Sequence, residues 1–309
     1  MRRFLIDTDT ASDDAVALVM ALTYPDVRIE AITTVAGNVP VDQAVQNALY
    51  TVDLVGARVP VYQGMAAPLL RPLQTAQNVH GRDGMGDIGL PLHGREPAPG
   101  HAVDVLVETI NRYPGAITLV TLGPLTNVAM ALLRDPSLAE QVHDCVIMGG
   151  TGQGYGNVTP VAEYNIWTDP EAARIVFESG LPITMVGWDI SYRFATIDPE
   201  AASQLRAVGG RLAEFSVDIQ RNVQQYALQT TRLPGFDLPD PIAMAVALDG
   251  ETASETKRVF VAVETGGEWG RGQTIVDHLA ITGRSANVNL VVAASRQRFL
   301  EILHRAVRA

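Results

Sequence analysis

The 309 residues carry 34 acidic against 23 basic side chains, a net charge of −11 at neutral pH, and 47% of them are hydrophobic. That balance argues against a nucleic-acid backbone or an anionic membrane surface as partner, because both select a basic footprint, and it leaves a small molecule as the expected ligand. The single cysteine, Cys145, lies in the apolar run 142–148, so no internal disulfide forms and a buried core thiol is expected. The apolar stretch ahead of Asp7 is too short for a signal peptide, and no run approaches the roughly 20 apolar residues of a membrane span, so a soluble, cytoplasmic protein is expected.

Residues 4–6 read as a buried strand, and Ala15, Leu18, Val19 and Leu22 recur at helical spacing. Asp7, Asp9, Asp13 and Asp14 therefore occupy a strand-to-helix turn, the place where open α/β sheets bind ligands. Capping accounts for half of them, with Ser12 or Asp13 as the N-cap and Asp14 complementing the helix dipole. Asp7 and Asp9 are harder to explain: desolvating each unpaired charge costs on the order of several kcal/mol, and neighbouring carboxylates raise one another's pKa. A bound cation removes both penalties, and an oxygen-only donor set favours Ca²⁺ or Mg²⁺ over zinc.

Further along, 27–35 reads as a strand that ends at Gly37-Asn38, followed by a helix over 41–55 and a short strand over 59–62. Residues 64–100 are rich in Gly, Pro and His without periodicity, a length that suggests function. Within them 78–87 has the glycine content of a flap, and His80 reads equally as a site residue or a surface histidine. A helix over 101–112, a strand over 116–122 and a helix from Asn127 to Leu133 continue the alternation. After the strand 142–148, the glycines of 149–156 resemble a phosphate loop only weakly, because no helix follows at once. They are read instead as backbone freedom around Asn157, Glu163 and Asn165.

A helix over 169–179, a strand over 182–186, helices over 198–208 and 211–228, and a short apolar helix over 242–248 come next, with Asp240-Pro241 an ordinary cap by itself. Strands over 259–264, 273–276 and 288–292 and a terminal helix over 299–307 complete the chain. Strands alternating with helices, without linker or repeat, predict one α/β domain over 1–309 with a mainly parallel, Rossmann-like central sheet flanked by helices and an active site at the C-terminal ends of its strands.

The acid cluster, taken together with Gly37-Asn38, Leu122-Gly-Pro-Leu-Thr-Asn127, Met148-Gly-Gly150, Ala162-Glu-Tyr-Asn-Ile166 and Asp240-Pro241, resembles the inosine-uridine preferring nucleoside hydrolases over almost the whole chain. The family signature Asp-x-Asp-x-x-x-Asp-Asp falls on Asp7, Asp9, Asp13 and Asp14. The resemblance implies calcium-dependent hydrolysis of the N-glycosidic bond of ribonucleosides to free base and ribose, in a homodimer or homotetramer. It implies Ca²⁺ held by Asp9, Asp14, Asp240 and the Leu122 carbonyl, and Asp9 as the general base that takes a proton from water. Asp13 and Asn165 would grip the ribose diol, Asn38 would help to bind the sugar, and Asn157 and Glu163 would hold its 5′-hydroxyl end. Two departures stand out. Thr10-Ala11 replaces the usual Pro-Gly, and Pro239 replaces a histidine or tryptophan ahead of the metal aspartate. Proline neither donates a proton nor stacks like indole, so His80 is expected to assist the leaving base, with Tyr226 as the weaker candidate.

Two other readings compete. Ile6-Asp7-Thr-Asp9-Thr10 resembles the first motif of aspartyl-phosphate phosphatases, but Lys257 is the only lysine and no acidic pair follows it. The other is a non-catalytic ribonucleoside-binding protein that keeps the cation cradle and has lost the base-side acid.

Overall fold

The computed structural model describes residues 1–309. Strand β1 (Arg2–Thr8) carries Phe4, Leu5 and Ile6, all fully buried, the pattern of a central strand covered on both faces. It is followed in the chain by β2 (Val27–Thr34), β3 (Val61–Gln63), β4 (Ile117–Thr121), β5 (Val142–Met148), β6 (Ile183–Val186), β7 (Thr196–Ile197), β8 (Phe236–Asp237), β9 (Glu255–Val259), β10 (Val261–Val263), β11 (Thr274–Val276) and β12 (Val288–Ala293). Eight of these form one sheet in the order β3-β2-β1-β4-β5-β6-β12-β9. Its neighbours run parallel except β12 and β9 at one edge, so the expected fold class is the one observed.

Alternation along each strand divides the core. Phe4 and Ile6 pack with Val16 and Leu18 of the helix Ser12–Thr23 and with Ile242 and Ala245 of the helix Pro239–Leu248. Leu5 points to the other face, with Leu106 of the helix Ala102–Arg112 and Val128 of the helix Thr126–Arg134. Because the chain goes from β1 to β2 on one side and returns to β4 on the other, the strand order reverses between β1 and β4. The crevice beyond their carboxyl ends is therefore the place for a ligand. Asp7, at the end of β1, is in register with Thr33 of β2 and Thr121 of β4.

Several elements differ from their expected extents. The single helix expected over 211–228 is interrupted: Arg211–Asp218 and Arg221–Tyr226 are separate α-segments, and a π-type turn, Ala227–Thr231, follows. The strand expected over 259–264 divides at Phe260, where β9 leaves the edge of the main sheet and β10 begins a hairpin with β11. A helix, Trp188–Phe194, starts directly after β6. The helix after Asp240 starts earlier than expected, at Pro239, with proline tolerated in the first turn because its missing N–H has no partner there. One helical turn, Gln77–His80, lies inside the irregular segment. No helix is long and apolar enough to cross a membrane.

Candidate active site

The turn after β1 is built around its own carboxylates. Thr8 Oγ1 donates to Asp14 Oδ1 at 2.5 Å, and the Ala11 N–H donates to Asp14 Oδ2 at 2.9 Å. Neither Ser12 nor Asp13 is the N-cap: Ala11 holds that position, and Asp14, three residues on, takes the free N–H. Asp7 serves as a brace, its Oδ1 accepting from Thr33 Oγ1 at 2.6 Å and from Asn127 Nδ2 at 2.8 Å. Asp9 Oδ2 accepts the Asn38 N–H at 2.5 Å. Two glycines make room for this carboxylate. A Cβ on Gly37 would stand 2.1 Å from Asp9 Oδ2, and one on Gly123 would stand 2.8 Å from Asp9 Oδ1.

Carboxylate oxygens of Asp13, Asp14 and Asp240 lie within 4.8 Å of one another, all buried. Oxygens bound to one Ca²⁺ at about 2.4 Å stand at most about 4.8 Å apart, so the three reach a common ion. Asp9 Oδ1 and Asp13 Oδ1 are buried with no hydrogen-bond partner. Burial raises the Asp9 and Asp240 carboxyls well above the usual range, and the charges of Asp14 and Asp13 raise both further. Burial likewise pushes Asp14 up to about 7, with the Asp13 charge adding to it. Four buried acids whose charges act on one another, with oxygens left over, fit a hard divalent cation. This trio contains Asp13 where the family resemblance implies Asp9, whose carboxylate has one oxygen tied to the Asn38 N–H and the other buried without a partner.

A cavity of about 400 Å³, within the usual range for a small-molecule site, is lined by Asp13, Asn38, Leu122 and Asp240. Asn157, Glu163 and Asn165 also line it, as do His80, Tyr226 and Pro239. The site residues expected from sequence thus converge, apart from Asp9 and Asp14, which lie beneath the cavity lining in the acid turn. His80 is 8% exposed and is no surface histidine; its Nδ1 is 3.0 Å from Ser12 Oγ and 3.7 Å from Asp13 Oδ1. Burial lowers its pKa, against the pull of Asp13. Asn165 Nδ2 donates to the Leu122 carbonyl at 2.8 Å, which leaves that oxygen its second lone pair.

Glu163 does more than the sequence suggested. It caps the helix Tyr164–Thr168, accepting N–H groups from Asn165, Gly150 and Ile166, and burial lifts its carboxyl to about 7. Asn127, in the Leu-Thr-Asn stretch, has a role that the sequence alone does not reveal: it donates to Asp7 Oδ1 and to the Thr34 carbonyl. The sequence alone does not single out Trp188 and Asp237 in the cavity wall either. The turn-rich approach to Asp240 held no local signal for Asp237.

A family model described as inosine-uridine preferring nucleoside hydrolase matches residues 4–301. The chain belongs to that family. As a nucleoside hydrolase it acts on N-glycosyl bonds, and the phosphatase alternative finds no support: Lys257 lies on the exposed edge strand β9, donating to the His278 carbonyl. The pyrimidine-specific ribonucleoside hydrolase RihA of Citrobacter koseri is 38% identical to this hydrolase over 301 residues, 97% of this chain and 96% of its own. Among solved structures, the plant nucleoside hydrolase PpNRh1 superposes with a TM-score of 0.93 at 32% identity, over 100% of this chain and 99% of its own. The purine-preferring ribonucleoside hydrolase from Gardnerella vaginalis gives 0.92 at 31% identity, over 99% and 98% of the two chains.

Proposed function

We propose that this nucleoside hydrolase releases free base and ribose from ribonucleosides in a Ca²⁺-dependent reaction. The ion would be held by Asp9, Asp14, Asp240 and the Leu122 carbonyl, with Asp13 alongside. The observation that carries the reading is the convergence of buried carboxylates, two with unpartnered oxygens, beside a cavity of nucleoside size. A bound Ca²⁺ supplies the positive charge that lets these acids ionise together and makes a nearby water more acidic.

The remaining work falls to the chain's own groups. Asp9 acts as general base through Oδ1, since its other oxygen is fixed by the Asn38 N–H and the flanking glycines leave no side chain to obstruct it. Asn165 spends its amide hydrogens on Leu122 and Met148, so its Oδ1 is left to accept a ribose hydroxyl, and Asp13, in the same cavity lining, has its unpartnered Oδ1 for the other. Asn157 Oδ1 takes the Tyr164 N–H, and its Nδ2 is left for the 5′-hydroxyl end, where Glu163 adds its remaining lone pairs. Asn38 helps to close the sugar site. With Nδ1 accepting the Ser12 hydroxyl, a neutral His80 carries its hydrogen on Nε2 and hydrogen-bonds the departing base as negative charge develops on it, with solvent supplying the proton that the released base keeps. Tyr226 is the alternative donor, because Pro239 has none to give.

The relatives' names point to different bases, so specificity must come from this chain's own cavity wall. Exposed Trp269, Leu279 and Ile281 support a homodimer or homotetramer, and the free, buried Cys145 suits a reducing cytoplasm. Reducing-sugar release from inosine, guanosine, adenosine, uridine and cytidine tests the activity. Nucleoside binding without base release would instead identify a binding protein.

A further inference from the structure

One carboxyl group in the cavity wall has no part in the chemistry above. Asp237 ends β8, three residues ahead of Asp240. Its Oδ2 accepts two hydrogen bonds, from Trp188 Nε1 and from Ser191 Oγ, each at 2.8 Å. Both donors belong to the helix Trp188–Phe194. The Trp188 indole is itself buried and held edge-on by Tyr155 and Tyr192, with ring centroids 5.6 and 5.0 Å away. Two donors on one oxygen fix the plane of the carboxyl group. Oδ1 receives no hydrogen bond from another side chain and is not among the buried unpartnered oxygens, and Asp237 is one of the residues that line the cavity.

Bracing the Trp188 helix against β8 would explain one oxygen. It does not explain why the carboxyl group is among the cavity-lining residues, together with Trp188 and with Val223, Tyr226, Ala227, Thr231 and Pro239 from its own stretch of chain. Most of these are flat or apolar groups suited to a heteroaromatic ring, whereas the acids and amides assigned to the sugar, Asp13, Asn38, Asn157, Glu163 and Asn165, come from other segments of the lining. A nucleoside with its ribose among those acids has this wall left for its base.

We propose that Asp237 reads the nucleobase, its Oδ1 accepting the lactam N–H of an oxo-base such as hypoxanthine, guanine or uracil and discriminating against adenine and cytosine. The inference rests on the reading of this cavity as a ribonucleoside site. In adenine and cytosine the corresponding ring nitrogen presents a lone pair, which would face a carboxylate lone pair with no hydrogen between them. The pinned carboxyl group cannot turn to follow the exocyclic amino group instead. Burial pushes this carboxyl upward, the Ser191 and Trp188 donors oppose that, and the charge of Asp13 adds to the rise. A cation held beside Asp13 would cancel the last contribution and favour the ionised, accepting form.

The test compares kcat/KM for inosine with adenosine, and for uridine with cytidine, in the calcium-loaded wild type and in Asp237→Asn and Asp237→Ala. Kd values from calorimetry are measured for the same four nucleosides. The wild type is expected to favour the oxo-base by roughly 10²-fold or more within a pair, as polar recognition in a closed site allows. Asp237→Asn, whose amide offers both donor and acceptor, should shrink that ratio by at least about tenfold, mainly by losing the oxo-substrate. A wild type that favours adenosine and cytidine overturns the proposal, as do variants whose ratios stay unchanged while all four nucleosides fall together, the result of a purely structural brace. If the wild type binds nucleosides without turnover, the hydrolase reading of the site fails, and the Kd ratios still decide the role of Asp237. Absence of binding overturns both.

Discussion

Gly37 packs directly against the Asp9 carboxylate. Its backbone needs no unusual conformation; the constraint is space, since an added methyl would overlap Asp9 Oδ2 and stand 2.8 Å from Pro124 Cδ. Gly37→Ala should therefore displace the Asp9 carboxylate and lower kcat/KM by about 10²-fold, the scale of a misplacement near 1 Å, as steady-state kinetics on a turned-over nucleoside would read. Asp14→Ala removes one member of the carboxylate trio and the side chain that receives the Ala11 N–H, so both calcium binding and hydrolysis should be lost, which titration calorimetry and activity together would measure. The role of His80 separates by substrate. His80→Ala should slow natural nucleosides by about 10² to 10⁴, with a much smaller loss on p-nitrophenyl riboside, whose phenolate leaves with little help. Equal losses on both substrates would make His80 a flap residue.

At the scale of elements, Asn127 joins three parts of the crevice. Its Nδ2 reaches Asp7 on β1 and the Thr34 carbonyl on β2, and its Oδ1 accepts the Met65 N–H at 2.9 Å. Asn127→Ala removes a hydrogen-bond partner from all three, with Asp7 Oδ1 keeping Thr33, and should lower stability by about 2 kcal/mol, measured by urea unfolding. Contacts of this kind explain which elements were legible. The helix Val41–Val55 was bounded in sequence by Pro40 and by Gly56, which takes a left-handed φ of 78°, and its observed limits match the expected ones. The break after Asp218 has no Gly or Pro to announce it. It coincides with Gln220, 1% exposed, whose Nε2 crosses to the Ser12 carbonyl at 2.9 Å, a demand that arises only once the chain has folded. The division at Phe260 likewise follows from partners far along the chain, β12 on one side and β11 on the other. In the site, the spacing from Asp7 to Asp14 was local and readable. Asp240 needed the family resemblance, and the bonds from Asp237 to Ser191 and Trp188 span 46 and 49 residues.

For the molecule as a whole, the acid cluster predicts how stability depends on pH and calcium. Without a cation, Asp7, Asp14 and Glu163 are each raised to about 7, against about 4 for such groups in an unfolded chain. Between those limits the unfolded state gives up protons that the folded state keeps. These acids should therefore make the metal-free protein lose stability as the pH rises from about 4 through 7, and Asp9 and Asp240, raised further still, should continue that fall above 7. Calcium binds the deprotonated acids, so the rise in Tm on adding it should be larger at pH 8 than at pH 5, in scanning calorimetry with and without chelator. The most direct measurement is ribose and base release from the ribonucleoside panel by purified protein, after exhaustive chelation and again after Ca²⁺ is restored. Equimolar base and ribose, lost on chelation and recovered with calcium, is the expected result; full activity in the presence of chelator, or no ribose from any nucleoside, would contradict a calcium-dependent ribonucleoside hydrolase built on these aspartates.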